Sequence, residues 1–329
     1  MKLINWMLVG CSLAMASCAP QKEQQQITFA DPTIACFDGM YYMYGTEPKP
    51  QTGIPVLQSA DLKTWEVPAG TLKDGHALEG GVSAYGTKGF WAPQVVEHNG
   101  KYYMIYTANE NIAVAKSERP IGPFVQDSVA ALKSDVNQID PFLLFDTDGK
   151  MYLYHVRLHE GNSIWVAEFK EDMSGIKEET LTQCITATEP WEDTQTFESA
   201  PVIEGPTVVK RDGIYYLLYS ANHFASKDYA VGYATSTSPY GPWKKPDGNP
   251  IISKENIHQN GTGHGDLFRD AKGDWKYVFH VHNSDTAIHP RRTLMVDVEF
   301  APDQASGEEI IRIKPETVVV PVMKPAASN

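Results

Sequence analysis

A loose internal repeat constrains the fold of this chain more than any other feature. Each copy has a glycine turn followed by a tyrosine-rich run, and the turn glycines are spaced by 61, 49, 64 and 60 residues. These glycines are Gly39, Gly100, Gly149, Gly213 and Gly273. Asp-Gly or Asn-Gly between apolar runs is typical of a tight hairpin, because both central residues of that turn favour positive φ. Tyrosine-rich runs favour strands, so each copy predicts a β-hairpin.

A third strand follows most of these hairpins, as at residues 56–59, 112–115, 164–167 and 231–234. The predicted unit is therefore strand, tight turn, strand, loop, strand, turn and strand. All-strand repeats of this size are typical of propeller blades. We therefore predict an all-β, five-bladed β-propeller. A β-sandwich is the alternative, but it does not explain why the turn, the aromatic run and the third strand recur together.

Composition narrows the possible partners. The chain has 329 residues, 42% of them hydrophobic, which suits a globular protein with a substantial core. Its net charge of -13 argues against a nucleic-acid partner, because neutralising phosphates needs a basic face. Only Cys36 and Cys184 follow residue 18, and two distant thiols make neither a disulfide framework nor a zinc site.

The N-terminal segment MKLINWMLVGCSLAMAS, residues 1–17, resembles a bacterial lipoprotein leader. One lysine precedes an apolar run that is short for a membrane span. We expect cleavage before Cys18, lipidation of Cys18, a polar tether at 18–26 and one catalytic propeller domain at 27–329. The protein would then be anchored in the cell envelope, on the periplasmic or cell-surface face of a membrane, without spanning it. A plain secretion signal and lipidation at Cys11 are the alternatives.

Acidic residues recur at one place in the repeat, eight or nine residues before the turn glycine. Asp31, Asp140 and Glu204 stand there in three copies, whereas Ala92, next to Trp91, and His264 stand there in the other two. The first strand of every propeller blade lines the central channel, so we expect these side chains to meet at its mouth. Clustered carboxylates repel each other and lose hydration, and such a cluster usually marks chemistry.

Three carboxyl groups around one pocket are typical of glycoside hydrolysis. One carboxylate activates water, one carboxylic acid protonates the leaving oxygen, and a third negative charge raises the pKa of the acid. A single Asp-Pro pair more often starts a turn, but here two such pairs and one Glu-Gly-Pro stand in register with the repeat. These residues alone leave open which carboxyl has which task.

The chain also resembles glycoside hydrolase family 43, from about residue 27 to about residue 300. The segments that carry the resemblance are FADP at 29–32, WAP at 91–93, IDPF at 139–142, EGP at 204–206, GHG at 263–265 and RRT at 291–293. The resemblance implies a five-bladed β-propeller and inverting hydrolysis of arabinose-, xylose- or galactose-containing glycans. It also implies that Asp31 is the general base, Asp140 the pKa modulator and orienter, and Glu204 the general acid.

The same resemblance implies three substrate-binding residues. Trp91 would be a stacking wall beside the base, with an indole packed between blades as the alternative. His264 would lie at the channel axis near a water molecule or a structural calcium ion, and no other cofactor is expected. Arg291 would bind a sugar hydroxyl near the modulator. Pro290 replaces the glycine of the family pattern, so the adjacent Arg292 is a second candidate.

Two further motifs point away from metal sites. His280-Val281-His282 places two imidazoles on one strand face, and without a third ligand this indicates a subsite or a structural pair. Residues 146–149 resemble the start of a calcium loop, but Arg157 stands where that loop needs glutamate, so a hairpin is favoured.

We therefore expect a monomeric glycosidase that releases arabinofuranose, xylose or a related sugar from plant-type polysaccharides or oligosaccharides. An exo-β-galactosidase or galactanase of the same family is one alternative. A catalytically inactive sugar-binding propeller is another, from a different functional class. A retaining fructan-active propeller is disfavoured, because its Asn-Asp-Pro-Asn-Gly, Arg-Asp-Pro and Glu-Cys motifs are not in the sequence.

Overall fold

Five antiparallel sheets follow one another along the chain in the computed structural model, which describes residues 24–194 and 200–325. Blade 1 contains β1 (Ala30–Phe37), β2 (Met40–Thr46), β3 (Gly53–Ser59) and β5 (His76–Glu79), with the short β4 (Thr64–Trp65) beside it. Blade 2 contains β6 (Trp91–His98), β7 (Lys101–Ala108) and β8 (Asn111–Ser117). Blade 3 contains β9 (Gln138–Phe145), β10 (Met151–Leu158), β11 (Asn162–Phe169) and β12 (Thr182–Ile185).

The chain continues in the same way to its last described residues. Blade 4 contains β13 (Ile203–Arg211), β14 (Ile214–Ala221) and β15 (Ala230–Ser236). Blade 5 contains β16 (Gly263–Arg269), β17 (Trp275–Val281), β18 (Arg292–Pro302) and β19 (Glu309–Val319). The final strand, β20 (Val322–Met323), pairs in parallel with β4 of blade 1. The helices are short: α1 (Lys254–Ile257) and 3-10 turns at Lys73–Gly75, Glu178–Thr180 and Pro190–Glu192.

The predicted five-bladed propeller is confirmed, with one difference in the blades. Blades 2 and 4 have three named strands each, and isolated bridges such as Lys116–Val125 and Thr235–Lys244 take the place of a fourth. The innermost strands β1, β6, β9, β13 and β16 contact their neighbours in a closed circle, β16 meeting β1. A separate apolar cluster fills each of the five spaces between adjacent blades.

The hairpin turns follow the predicted chemistry in three of the five repeats. Both central residues have positive φ at Asp38-Gly39, Asn99-Gly100 and Asp212-Gly213. In the third repeat only Gly149 does, and the turn is wider because Asp146 accepts the Gly149 amide and donates its own amide to Lys150. The turn at Gly273 is built in the same wider way on Asp270.

Tyrosine recurs after the turns because its ring fills a space between blades while its hydroxyl reaches a partner. Four such tyrosines are fully buried: Tyr44, Tyr106, Tyr154 and Tyr219. The Tyr44 hydroxyl donates to the carbonyl of Pro120 at 2.6 Å, and that of Tyr154 donates to Pro239 at 2.8 Å. A buried hydroxyl needs such a partner, so the repeat joins neighbouring blades.

Over residues 24–194 and 200–325, no helix is long and apolar enough to cross a membrane. The expected leader, Cys18 and most of the tether lie outside these ranges.

Candidate active site

The first strand of every blade carries one residue with a left-handed backbone. These residues and their φ values are Asp31 (48°), Ala92 (43°), Asp140 (55°), Gly205 (60°) and His264 (39°). Each stands where the ladder between the first and second strands is interrupted. Such bulges redirect side chains, and left-handed non-glycine residues cost energy that is tolerated mainly at functional sites. Asp31, Ala92, Asp140 and His264 line one cavity, whereas Trp91 and Glu204 are not part of its lining.

Blade 4 departs from the predicted register by one residue. Its left-handed residue is Gly205, and Glu204 precedes it. A Cβ atom at position 205 would lie 2.9 Å from Cδ2 and Cγ of His264, so only glycine fits. The Gly205 amide instead donates to Oδ2 of Asp140 at 3.2 Å. Glu204 therefore enters the site from the position before the bulge.

Asp31 is buried among hydrogen-bond donors and cationic groups. Arg291 Nη1 donates to its Oδ1 at 3.0 Å, and the Thr46 hydroxyl donates to its Oδ2 at 2.7 Å. The ring nitrogens Nδ1 of His264 and His280 lie 3.4 and 3.3 Å from Oδ1. Burial acts to raise the pKa of Asp31, but Arg291 and the two histidines outweigh it and hold that pKa well below its usual range. This carboxylate is ionised at neutral pH.

The two adjacent arginines point to different places. Arg291 donates from Nη1 to both Asp31 and His280, and its guanidinium packs 4.8 Å from the ring centre of Phe224. Arg292 instead donates to the carbonyl of His282 at 3.2 Å and to Gln259 at 2.5 Å. Of the two sequence candidates, only Arg291 contacts one of the three carboxyl groups.

Asp140 and Glu204 form a second, differently charged part of the site. Asp140 is buried, and its Oδ2 lies 3.7 Å from Nδ1 of His264. Its backbone amide donates to the Thr107 hydroxyl at 3.0 Å, which fixes the bulge. Burial, together with the nearby charges of Glu204 and Asp31, raises the pKa of Asp140 well above its ordinary value. A carboxyl in this position favours the neutral form more than Asp31 does.

Glu204 is held by two neutral donors. Oε1 accepts from the Tyr229 hydroxyl at 2.8 Å, and Oε2 accepts from Nδ2 of Asn162 at 3.2 Å. Burial raises the pKa of Glu204 to about 7, assisted by the charge of Asp31 and opposed by the Tyr229 hydrogen bond. The expected rise in the pKa of Glu204 is therefore present, but its largest cause is burial and not a neighbouring negative charge. Asp140 and Glu204 both have a raised pKa and titrate as an interacting pair.

Trp91 begins β6 at the edge of the site and is partly buried. Its indole Nε1 donates to Oε1 of Gln51 at 2.8 Å. The next residue, Ala92, donates its amide to the Thr46 hydroxyl at 3.1 Å, and Thr46 in turn donates to Asp31. Thr46 therefore ties the first strand of blade 2 to the carboxylate of blade 1.

Sequence reasoning missed the residues that hold the carboxyls from outside the first strands. Thr46 and His280 lie on second strands, Asn162 begins a third strand, and Tyr229 precedes one. The motif His280-Val281-His282 was interpreted as a subsite or a structural pair. Of its two histidines, only His280 reaches a carboxyl group, whereas His282 contacts the Phe224 carbonyl at 2.9 Å. The glycines around His264 were the available signal, because a Cβ on Gly261 would collide with His282 and one on Gly263 with Tyr229.

Few side-chain ligands for a calcium ion lie near His264. Among residues 24–194 and 200–325, no group of three or more His, Cys, Asp and Glu side chains is arranged to hold a metal ion. The nearby Asp266 has both oxygens engaged, with Thr33 at 2.5 Å and Thr207 at 2.7 Å. Calcium takes six to eight oxygen ligands, which include backbone carbonyls and waters as well as carboxylates, so the calcium ion expected near His264 stays a prediction.

The site thus pairs an ionised buried carboxylate with a carboxyl that stays protonated to near neutral pH. This combination allows one group to remove a proton from water while the other gives one to a leaving oxygen. A five-bladed propeller with this site belongs to the class of glycosidases. The family model of glycosyl hydrolases family 43 matches residues 25–305. The chain therefore belongs to glycosyl hydrolases family 43.

Solved and sequenced relatives agree with this assignment. A structure of an endo-1,4-beta-xylanase from Bacteroides thetaiotaomicron is 41% identical, covers 92% of this chain and 99% of its own, and superposes with a TM-score of 0.81. A xylosidase/arabinosidase of Butyrivibrio fibrisolvens is 29% identical over 76% of this chain, and a beta-D-galactofuranosidase of Aspergillus niger is 25% identical over 82%. The matches span 48% of the Butyrivibrio enzyme and 78% of the Aspergillus enzyme.

Proposed function

We propose that this chain is an inverting glycosidase that releases arabinofuranose, xylose or a related sugar from plant-type polysaccharides or oligosaccharides. The observation that carries the proposal is the opposite ionisation of two buried carboxyls. Arg291 and two histidines hold the pKa of Asp31 well below its usual range, whereas burial raises that of Glu204 to about 7. A binding protein gains nothing from this costly arrangement.

In the proposed mechanism Asp31 acts as general base. It takes a proton from a water molecule, whose oxygen attacks the anomeric carbon on the face opposite the leaving group. Glu204 donates its proton to the glycosidic oxygen as the bond to the anomeric carbon breaks. One direct displacement by water inverts the anomeric configuration, and no covalent intermediate forms.

Asp140 supports the acid in this scheme. Asp140 and Glu204 interact, because the charge of Glu204 helps to raise the pKa of Asp140, and a negative charge on either one favours the protonated form of the other. Asp140 also accepts the amide of Gly205, the residue after Glu204, and so orients the strand that carries the acid. Trp91, His264 and Arg291 are proposed to bind the sugar, since Trp91 flanks the bulge residue Ala92 while the other two contact Asp31.

The sugar is proposed from the chemistry of the relatives. Xylanase, xylosidase/arabinosidase and galactofuranosidase activities are those named for the three relatives above. Arabinofuranose and galactofuranose are both five-membered rings, and xylose presents similar secondary hydroxyls in a six-membered ring. A β-galactoside or galactan remains the alternative substrate within the same mechanism.

An aryl-glycoside panel followed by proton NMR of the first-formed sugar tests this proposal. The panel contains α-L-arabinofuranoside, β-D-xyloside, β-D-galactofuranoside and β-D-galactopyranoside. Hydrolysis of one with inversion would support both the class and the sugar. Retention would contradict the mechanism, and binding of sugars without hydrolysis of any glycan would favour the inactive sugar-binding propeller.

We also propose where and in what form the enzyme works. A lipid on Cys18 would hold it at the envelope, with residues 18–26 as a tether. It would act as a monomer that requires no cofactor, and the one candidate ion is a structural calcium in the central channel. The leader-like sequence before Cys18 supports the anchor. Labelling with a radioactive fatty acid tests it: Cys18→Ala should abolish the label, whereas persistence of the label would point to Cys11.

A further inference from the structure

Two fully buried rings lie side by side next to the carboxyl groups. The rings of Tyr229 and His280 have centroids 5.7 Å apart and planes within 19° of parallel. Both side chains have essentially no exposed surface. One ring contacts Glu204 and the other contacts Asp31, so the stack joins the two halves of the site.

Tyr229 is suited to a carboxyl that changes its protonation state. Its hydroxyl lies 2.8 Å from Oε1 of Glu204, at hydrogen-bond distance. A phenol can donate to the carboxylate and, after rotating its hydrogen, accept from the carboxylic acid. Asn162, the other partner, has only donor hydrogens on the nitrogen that contacts Oε2, so it cannot adapt in this way.

His280 is held between Arg291 and Asp31. Its Nε2 lies 3.1 Å from Arg291 Nη1. Its Nδ1 accepts from the backbone amide of Asp31 at 3.2 Å and lies 3.3 Å from Oδ1 of the same residue. Burial lowers the pKa of His280 to about 3, so the ring is neutral. The neutral ring therefore contacts both the backbone and the carboxylate of the base.

The surrounding chain makes room for this stack and for nothing larger. A Cβ atom on Gly263 would lie 2.2 Å from Cε1 of Tyr229, so glycine lets the strand approach the ring. The hydroxyl of Thr262 donates to the backbone carbonyl of Tyr229 at 3.1 Å. The ionisable groups acting on the two rings are Asp31, Asp140, Glu204, His264 and Arg291.

We propose that the stacked pair of Tyr229 and His280 is a positioning element that orients the acid Glu204 and the base Asp31 relative to each other. The inference rests on the proposed function, which assigns the role of acid to Glu204 and the role of base to Asp31. The pair itself touches the carboxyls and is not placed to touch the reacting sugar. Each ring fixes one carboxyl, and the contact between the rings fixes their mutual placement.

Carbon-13 NMR titration of the labelled side-chain carboxyls tests the pair without relying on activity. The Glu204 and Asp31 signals are assigned by their loss in Glu204→Gln and Asp31→Asn. Tyr229→Phe keeps the ring and removes one hydrogen bond to a carboxylate, so the titration midpoint of Glu204 should rise by about one unit. His280→Phe removes a ring whose contact lowers the pKa of Asp31, so the Asp31 midpoint should also rise by about one unit.

Matched variants separate this effect from a general loss of packing. Tyr219→Phe removes another buried hydroxyl that donates to a carboxylate, Glu192, and His155→Phe alters another fully buried histidine. Neither should move the two midpoints. His280→Asn should restore part of the Asp31 midpoint, because its side-chain amide keeps a polar group next to Asp31. If His280→Phe does not fold, the smaller His280→Leu replaces it.

The outcomes divide clearly. The proposal is supported if Tyr229→Phe moves only the titration midpoint of Glu204 and His280→Phe moves only that of Asp31. The pH profile of kcat/KM should then shift at the limb that the affected carboxyl controls. The proposal would be overturned if the variants fold and leave both midpoints unmoved. It would also be overturned if Tyr219→Phe shifted the midpoints by the same amount. A wild-type protein inactive on every glycan that still shows both shifts would contradict the proposed function while leaving the positioning pair supported.

Discussion

Replacing Gly205 by alanine should damage the site through a single added methyl group. At its φ of 60° an alanine is strained by about 1–2 kcal/mol. Its Cβ would stand 2.9 Å from the His264 ring, so the ring must move by about 0.5 Å to regain ordinary contact. Because the neighbouring packing resists that shift, we expect a further loss of about 1–3 kcal/mol in the free energy of unfolding.

Gly213 provides a control with the same backbone cost and no contact. Its φ is 84°, and no heavy atom lies within 4 Å of where its Cβ would be. Gly213→Ala should therefore lower the free energy of unfolding only by the backbone strain. Urea denaturation followed by tryptophan fluorescence measures both variants. The difference between them isolates the collision with His264.

Activity should separate the two variants even more than stability does. His264 lies 3.4 Å from the Asp31 carboxylate and 3.7 Å from that of Asp140, so moving its ring disturbs the placement of both. Misplacement on this scale can lower kcat/KM by about 100-fold, whereas Gly213→Ala should leave it unchanged. Equal stability and equal activity in the two variants would show that the site accommodates a side chain at 205, and the steric reasoning would then be wrong.

Three further predictions concern the chemistry. Asp31→Asn should abolish hydrolysis of every glycoside, whereas Glu204→Gln should spare aryl glycosides with good leaving groups, because these need little protonation; equal losses in steady-state assays would contradict the assigned roles. Activity should fall as pH rises through about 7, where the raised pKa of Glu204 removes the acid, and should persist at low pH because the pKa of Asp31 is depressed; an alkaline limb unchanged in Asp140→Asn would exclude a contribution from Asp140. Dialysis against EDTA should leave kcat/KM unchanged, and a loss restored by calcium would show a metal site that the side chains near His264 do not reveal.

The repeat was enough to predict the propeller because its signals are local. Asp-Gly and Asn-Gly turns are set by neighbouring residues, and the buried tyrosines recur at fixed distances from them. The wider turns at Gly149 and Gly273 were not predicted, since they depend on hydrogen bonds of Asp146 and Asp270 to residues beyond the turn.

The site was predictable only where it follows the repeat. Asp31 and Asp140 were placed correctly because each occupies a bulge that recurs in every blade. The one-residue offset of Glu204 could not be read from the sequence, because it depends on the collision that a side chain at 205 would have with His264. Tyr229 and Asn162 stand outside the first strands, where the repeat places the carboxyls, and only the folded chain brings them to Glu204.

The hydrogen bonds of Asp31 have a consequence for how the chain matures. Its partners Arg291 and His280 lie 260 and 249 residues further along the chain, so they reach it only when the last blade meets the first. Until then Asp31 has neither the cation nor the ring that lowers its pKa. The depressed pKa of the base therefore appears only when the ring of blades closes, and the titration of Asp31 reports whether a truncated or permuted chain has closed.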